Sequence, residues 1–195
     1  MTMENSALKK YIQMIYPTSD DRALAIASNF QTFSIQKNSI LIPDKKINRQ
    51  TYFLETGYVR SVVVNSEGND VTTTIFSAPC FVNDFISFFK QQPVQENFVA
   101  MTDCTGWTMK YDDVEKQFHQ SPEFREFGRL LVLHSYEMLK KRMIDLLQNT
   151  AEQRYLNMLS QHPDIFQNIP LKVIASYLGI TDTSLSRIRK ELSQK

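Results

Sequence analysis

Residues 171–190 read LKVIASYLGITDTSLSRIRK, and the rest of the chain is interpreted outward from them. Ala175 is the fifth residue of these twenty, Gly179 the ninth, Leu185 the fifteenth and Ile188 the eighteenth. A helix-turn-helix asks for these residue types at these places. Its fifth position faces the second helix at close range and must be small. Its ninth sits in the turn, where φ > 0 favours glycine. The fifteenth and eighteenth lie one turn apart and plug the second helix onto the first. Ile174, Leu178, Ile180 and Leu192 extend the same apolar cluster. At about 100° per residue, Leu185, Ile188 and Leu192 share one side of the second helix, opposite Thr183, Ser186, Arg187 and Lys190. An αα-hairpin inside a larger helical domain would want the same Ala, Gly and aliphatic residues. The outer face argues against it: short polar groups followed by cations suit base edges and then phosphates.

Charge agrees with that reading. From Pro170 onward there are five Lys/Arg against two Asp/Glu, a local +3, while the preceding residues hold 17 against 19, in a chain whose formal net charge is +1. The basic excess is thus concentrated where a nucleic-acid footprint belongs. The composition, 42% hydrophobic and 22% charged over 195 residues, is that of an ordinary globular protein. No apolar run approaches the roughly 18 residues of a membrane span. The N-terminal MTMENSALKKYIQMIY lacks a signal-peptide core, so a cytoplasmic protein without a membrane partner is expected. Cys80 and Cys104 form no CxxC pair, read as core thiols, and have no His at metal-ligand spacing, so no metal and no cofactor is expected. No G-x-S-x-G, Walker A or HExxH motif occurs, and an enzyme is not expected.

The hydrophobic period divides the chain. Residues 4 to 30 read as helical, with Leu8, Ile12, Ile15, Leu24, Ala27 and Phe30 at three- and four-residue intervals. From Phe33 to about Met109 come short β-branched and aromatic runs: SILIP (39–43), TYFLETGYVRSVVVN (51–65), DVTTTIFS (70–77) and ENFVAMTDCTGWTMK (96–110). Residues 65–69, NSEGN, give a hairpin signal. This spacing predicts an antiparallel β-roll. Within it, FVNDFISFFK (81–90) puts Phe81, Phe85, Phe88 and Phe89 on one helical face, read as core packing. A helix is expected over 111–118, with Asp112 and Asp113 at its start. A long helix of about 26 residues then begins at Pro122 behind Ser121 as N-cap. It carries two apolar stripes: Phe124, Phe127, Leu131, His134 and Met138, and Val132, Tyr136, Leu139, Met143 and Leu146. One can lie on the roll, leaving the other for a second copy of the chain. Either stripe qualifies, and Phe127, Leu131, His134 and Met138 are the candidate seam residues. Thr150 caps a further helix ending at His162-Pro163.

Roll, long helix and terminal helix-turn-helix together resemble the Crp/Fnr family of transcription regulators, closest to its short members in Bacteroidota. The likeness is strongest in LETGYVRSVVVNSEGNDVTTTIF (54–76), with Gly57, Arg60 and Gly68 in their expected places, and in LGITDTSLSRIRKEL (178–192). It implies an α+β protein. Residues 1–118 would form a cyclic nucleotide-binding-like antiparallel β-roll of jelly-roll type, 119–148 a dimerisation helix, and 149–195 a small helical DNA-binding domain. It implies a homodimer on double-stranded DNA with an approximately palindromic operator, with RNA polymerase and a small-molecule effector as further partners. The DNA-contacting residues carried over are Asp182, Thr183, Ser184, Ser186, Arg187 and Lys190.

Two departures from the family pattern matter. Nucleotide-binding members hold a Gly-Glu pair and, some ten residues later, an Arg-Ser-Ala-like run around the cyclic phosphate. The aligned positions here are Asn83-Asp84 and Val94-Gln95-Glu96. Asn83, Asp84, Phe85, Gln95 and Glu96 are therefore the candidate ligand residues. Between Asn69 and Gly106 the only cation is Lys90 and no glycine intervenes. A phosphate there would lack charge-assisted bonds and an open nest. Cyclic AMP binding is not expected. Second, Asp182 and Thr183 stand where many relatives carry Arg and Glu, which predicts a different half-site read by Thr183, Ser186 and Arg187. The chain also stops three residues after Leu192, without a strand for a wing. The competing expectation is a small-ligand module whose helical tail makes protein–protein contacts.

Overall fold

The computed structural model describes residues 6–194. The helical N-terminal stretch divides at Tyr16–Ser19 into α1 (Ala7–Ile15) and α2 (Asp20–Ala27), and residues 4 and 5 of that expected helix lie outside the described residues. Ser6 caps α1 by accepting from the Lys9 amide, an Ncap bond worth about 1 kcal/mol.

Eight strands follow: β1 (Gln31–Ile35), β2 (Ile40–Ile42), β3 (Gln50–Thr56), β4 (Tyr58–Val64), β5 (Asp70–Ser77), β6 (Cys80–Val82), β7 (Asn97–Ala100) and β8 (Cys104–Lys110). They form two antiparallel sheets, β1-β8-β3-β6 and β2-β7-β4-β5. Two of the long runs in the sequence each supply a strand to both sheets. Residues 51–65 turn the corner at Gly57 and residues 96–110 turn it at Met101–Asp103. Gly57 has φ +94°, and a Cβ there would lie 2.6 Å from the Asp103 carbonyl oxygen and the Cys104 sulfur. The 65–69 hairpin joins β4 to β5, with the Asn65 side chain accepting from the Glu67 and Asn69 amides.

Ile42, Leu54, Val59, Val82, Phe98 and Cys104 fill the space between the sheets. The outer face of the first sheet, with Phe53, Phe81 and Trp107, is covered by Leu8 and Ile12 of α1, Ala23 and Ile26 of α2, and the start of the long helix. Burial raises the Cys80 thiol to about 12 and the Cys104 thiol above its ordinary value, so both are packing groups.

The Phe-rich segment is not one helix. Phe81 belongs to β6, Asp84 caps α3 (Phe85–Lys90) by accepting from the Ser87 amide, and only Phe85, Phe88 and Phe89 are helical. α4 spans Tyr111–Gln120 and α5 spans Pro122–Gln148, the latter capped by Ser121.

The two apolar stripes of α5 differ in exposure. Phe127 is 2% exposed and Leu131 is buried in the core beneath the first sheet, in the cluster that holds Phe81 and Phe124. They face the chain's own β-roll, because the first turns of α5 lie against the first sheet. Beyond Leu131 the helix leaves the sheet. His134 is then half-buried and Met138 exposed. The second stripe remains open: Tyr136 is 59% exposed and Leu139 63%.

Candidate nucleic-acid interface

α6 (Ala151–Gln161) starts in a capping box: Thr150 accepts from the Gln153 amide while the Gln153 side chain accepts from the Thr150 amide. After the short α7 (Ile165–Asn168), α8 (Leu171–Tyr177) and α9 (Asp182–Leu192) form the hairpin. Ile174, Ala175, Leu178 and Leu185 are buried together with Tyr155 of α6 and Ile165 of α7. Gly179 takes φ +70°. Its amide donates to Ser176 O and the Ile180 amide to Ala175 O, the paired bonds of a Schellman turn. This turn redirects the backbone into Thr181, whose hydroxyl accepts from the Ser184 amide as N-cap of α9.

The outer face of α9 is open. Asp182, Thr183, Ser186, Arg187 and Lys190 are exposed and Ser184 half-buried. Thr181 Oγ1 lies 2.9 Å from both the Thr183 and the Ser184 hydroxyls, so the helix start presents a linked hydroxyl cluster. One turn on, Arg187 Nε stands 4.0 Å from Glu191, both well exposed. Such a pair contributes only a few tenths of a kcal/mol and leaves the guanidinium free to exchange it for a stronger acceptor. The six residues expected to contact DNA therefore lie on one helix, with hydroxyls at its start and cations toward its end.

The candidate ligand residues do not form one polar site. Asn83 Oδ1 accepts from the Asn48 side chain, Asp84 is occupied as the cap of α3, and Phe85 stacks on Phe89 with ring centroids 6.2 Å apart. Gln95 is exposed, and Glu96 accepts from the Thr73 hydroxyl, which also bonds Ser61. The run Val94-Gln95-Glu96 thus supplies no cation: Val94 is buried in the core between the sheets, and Glu96 adds a carboxylate two residues later. Phe85, Phe88, Phe89, Phe118 and Phe124 leave a cavity of only about 30 Å³ between α3, α4 and α5, far below ligand size. Among the described residues, no His/Cys/Asp/Glu group is arranged to hold a metal, and no helix is long and apolar enough to cross a membrane.

A second set of polar residues, with no motif in the sequence, holds the helix-turn-helix in place. Tyr58 Oη donates to Asp164 Oδ2 at 2.7 Å and Ser77 Oγ donates to the same oxygen at 3.1 Å. The Tyr58 bond is the first cause holding the Asp164 carboxyl below its ordinary value. Burial, then Asp164, raises the Tyr58 phenol. The Thr72 amide donates to Ser176 Oγ at 2.8 Å. On the other flank, Arg142 of α5 and Arg154 of α6 donate to the Tyr177 and Leu178 carbonyls. These partners are 24 to 106 residues apart, and no local pattern announces them.

Comparison with known proteins places this architecture. Residues 32–121 match the family model of the cyclic nucleotide-binding domain. FixK2 from Bradyrhizobium japonicum superposes with a TM-score of 0.71 at 18% identity, covering 85% of each chain. The c-di-GMP-responsive global regulator CLP of Xanthomonas campestris gives 0.68 at 14%, covering 89% of this chain and 90% of its own. A transcriptional regulator of the Crp/Fnr family from Eubacterium rectale gives 0.69 at 14%, covering 94% and 88%. No curated protein sequence matches the chain.

Proposed function

We propose, from the match of residues 32–121 to the cyclic nucleotide-binding domain and the likeness in fold to Crp/Fnr regulators, that the chain is a homodimeric, sequence-specific DNA-binding transcription regulator. The observation that carries the reading is the outer face of α9: Thr183, Ser186, Arg187 and Lys190 stand exposed on a helix whose opposite side is buried. Arg187 offers a planar fork for guanine, and Lys190, one turn later, a point charge for phosphate.

Dimerisation runs through α5. Val132, Tyr136, Leu139, Met143 and Leu146 succeed one another at intervals of four, three, four and three, the spacing of a coiled-coil seam. All five are exposed in the single chain. Burying them against a second copy removes an exposed apolar stripe of the long helix from water.

The sensor does not take a cyclic nucleotide in the family's usual way. The run Val94-Gln95-Glu96 offers a phosphate no cation and adds a carboxylate, and desolvating a phosphate without a cation costs several kcal/mol. The test of the reading is selection of genomic DNA fragments by the purified protein. A shared, approximately two-fold symmetric sequence among the captured fragments is expected. Fragments with no common sequence, or no capture at moderate salt, would instead favour a ligand-binding module with a protein-binding tail.

A further inference from the structure

A symmetric dimer reads two half-sites, and the distance between its recognition helices is fixed only if each helix-turn-helix is rigidly mounted on the rest of its own chain. Here the mount is visible. The Schellman turn at Gly179 uses the Ala175 and Ser176 carbonyls and leaves those of Tyr177 and Leu178 pointing out of the end of α8 with no helical partner. Two arginines take them. Arg142 Nη2 donates to Tyr177 O at 2.8 Å while its guanidinium carbon lies 3.7 Å from the centre of the Tyr177 ring. Arg154 donates twice to Leu178 O, at 3.1 and 2.8 Å, and once to Asn149 O at 2.6 Å. Arg142 belongs to α5, the proposed dimer helix, and Asn149 is its C-cap residue. The turn that launches α9 is therefore bonded to the dimer helix and to its end.

The opposite flank is fastened to the sensor. Tyr58 and Ser77 are paired across β4 and β5 and aim both hydroxyls at one oxygen of Asp164, just ahead of α7. The Thr72 amide, further along β5, holds Ser176, one residue before the Tyr177 that Arg142 grips. Tyr58, Ile75 and Met101 also pack against the core of the hairpin. None of these contacts touches the exposed face of α9, so docking leaves the DNA-reading residues free.

Resting on the DNA-binding reading above, we propose that Arg142, Arg154 and the Tyr58–Asp164 pair are positioning residues that fix α9 relative to the dimer helix and thereby set the half-site spacing this protein accepts. They touch no base. Loosening them leaves each half-site legible and lets the two helices adapt to operators that the intact protein rejects.

The experiment uses the full chain and its selected operator, with the half-site spacing changed by one base pair in either direction, a shift of about 3.4 Å and roughly 35°. Wild type is expected to lose about tenfold or more in affinity on either altered spacing, as misplaced recognition helices forfeit base contacts. The Tyr58→Phe/Arg142→Met double variant is expected to lose less than about threefold, while a base change within one half-site still penalises it as in wild type. Amide exchange at Thr72, which reads docking without DNA, should be faster in the double variant. If half-site preference collapses as well, α9 itself has been disturbed. The single Tyr58→Phe variant, which removes one hydroxyl, then decides by the same two readouts. A double variant that keeps both the wild-type spacing penalty and slow Thr72 exchange overturns the proposal and leaves the regulator reading standing. A wild type that discriminates no sequence at all overturns the regulator reading and the proposal with it.

Discussion

Replacing Gly179 with alanine tests whether the turn between α8 and α9 has the geometry on which DNA reading depends. The residue holds φ +70°, and an added Cβ would meet its nearest neighbour, Leu146 Cδ2, at 3.5 Å, an ordinary van der Waals distance. Steric overlap therefore contributes little, and the cost is that of a left-handed backbone on an L-residue, about 1–2 kcal/mol. The reduced entropy of the unfolded alanine chain offsets less than that, by about 0.4–1 kcal/mol. The net loss should be about 1 kcal/mol. Asparagine, which tolerates this region better, should cost less. Valine should cost more, because its branched Cβ is a worse fit to φ > 0. Urea unfolding followed by far-ultraviolet circular dichroism should rank the proteins Gly, Asn, Ala, Val from most to least stable. An alanine variant as stable as wild type would show that Gly179 is not left-handed in solution. A loss beyond about 4 kcal/mol would mean that packing, and not the backbone, was being measured.

Leu139→Glu should convert a dimer of twice 22.7 kDa into a folded monomer by sedimentation, whereas Phe127→Ala should leave the dimer intact and cost about 3–5 kcal/mol of fold stability; reversed outcomes would return the seam to the first stripe. Calorimetry with cyclic AMP should show no low-micromolar binding, and a clear isotherm would refute the reading of the Val94-Gln95-Glu96 run. The depressed pKa of Asp164 means its contribution is complete above the ordinary carboxylate value of 3.8 and is lost as pH falls through the lower folded value. Thermal melts should therefore show wild type losing stability below about pH 4 relative to Asp164→Asn, with no divergence between pH 6 and 8; parallel curves throughout would contradict this.

Much of this architecture was legible because it is periodic. The helix-turn-helix announced itself through Ala175, Gly179, Leu185 and Ile188, each required for a local steric reason. The hairpin at 65–69 and the caps at Ser121 and Thr150 are likewise short-range. Periodicity alone does not separate the two stripes of α5, and Phe127 and Leu131 are buried within the single chain. A helix apolar on two sides must bury both, but which residues face inward is decided by the elements packed against it, here α1, α2, α4 and Phe81 of β6. The i, i+4 phenylalanine pattern extends back to Phe81 and mimics a helix there, although its backbone belongs to β6. The mount of Arg142, Arg154, Tyr58 and Asp164 left no trace in the sequence, since each bond joins elements brought together only by the fold.

The central claim, that α9 reads base edges, is tested most directly by titrating Arg187→Ala and Lys190→Ala against the selected operator and a single-base variant of it at several salt concentrations. Arg187→Ala should cost about 1–3 kcal/mol on the operator and narrow its margin over the variant site. Lys190→Ala should weaken both sites alike and lower the salt slope by about one unit. Equal losses on both sites for Arg187→Ala, or a wild-type protein indifferent to the base change, would contradict the account.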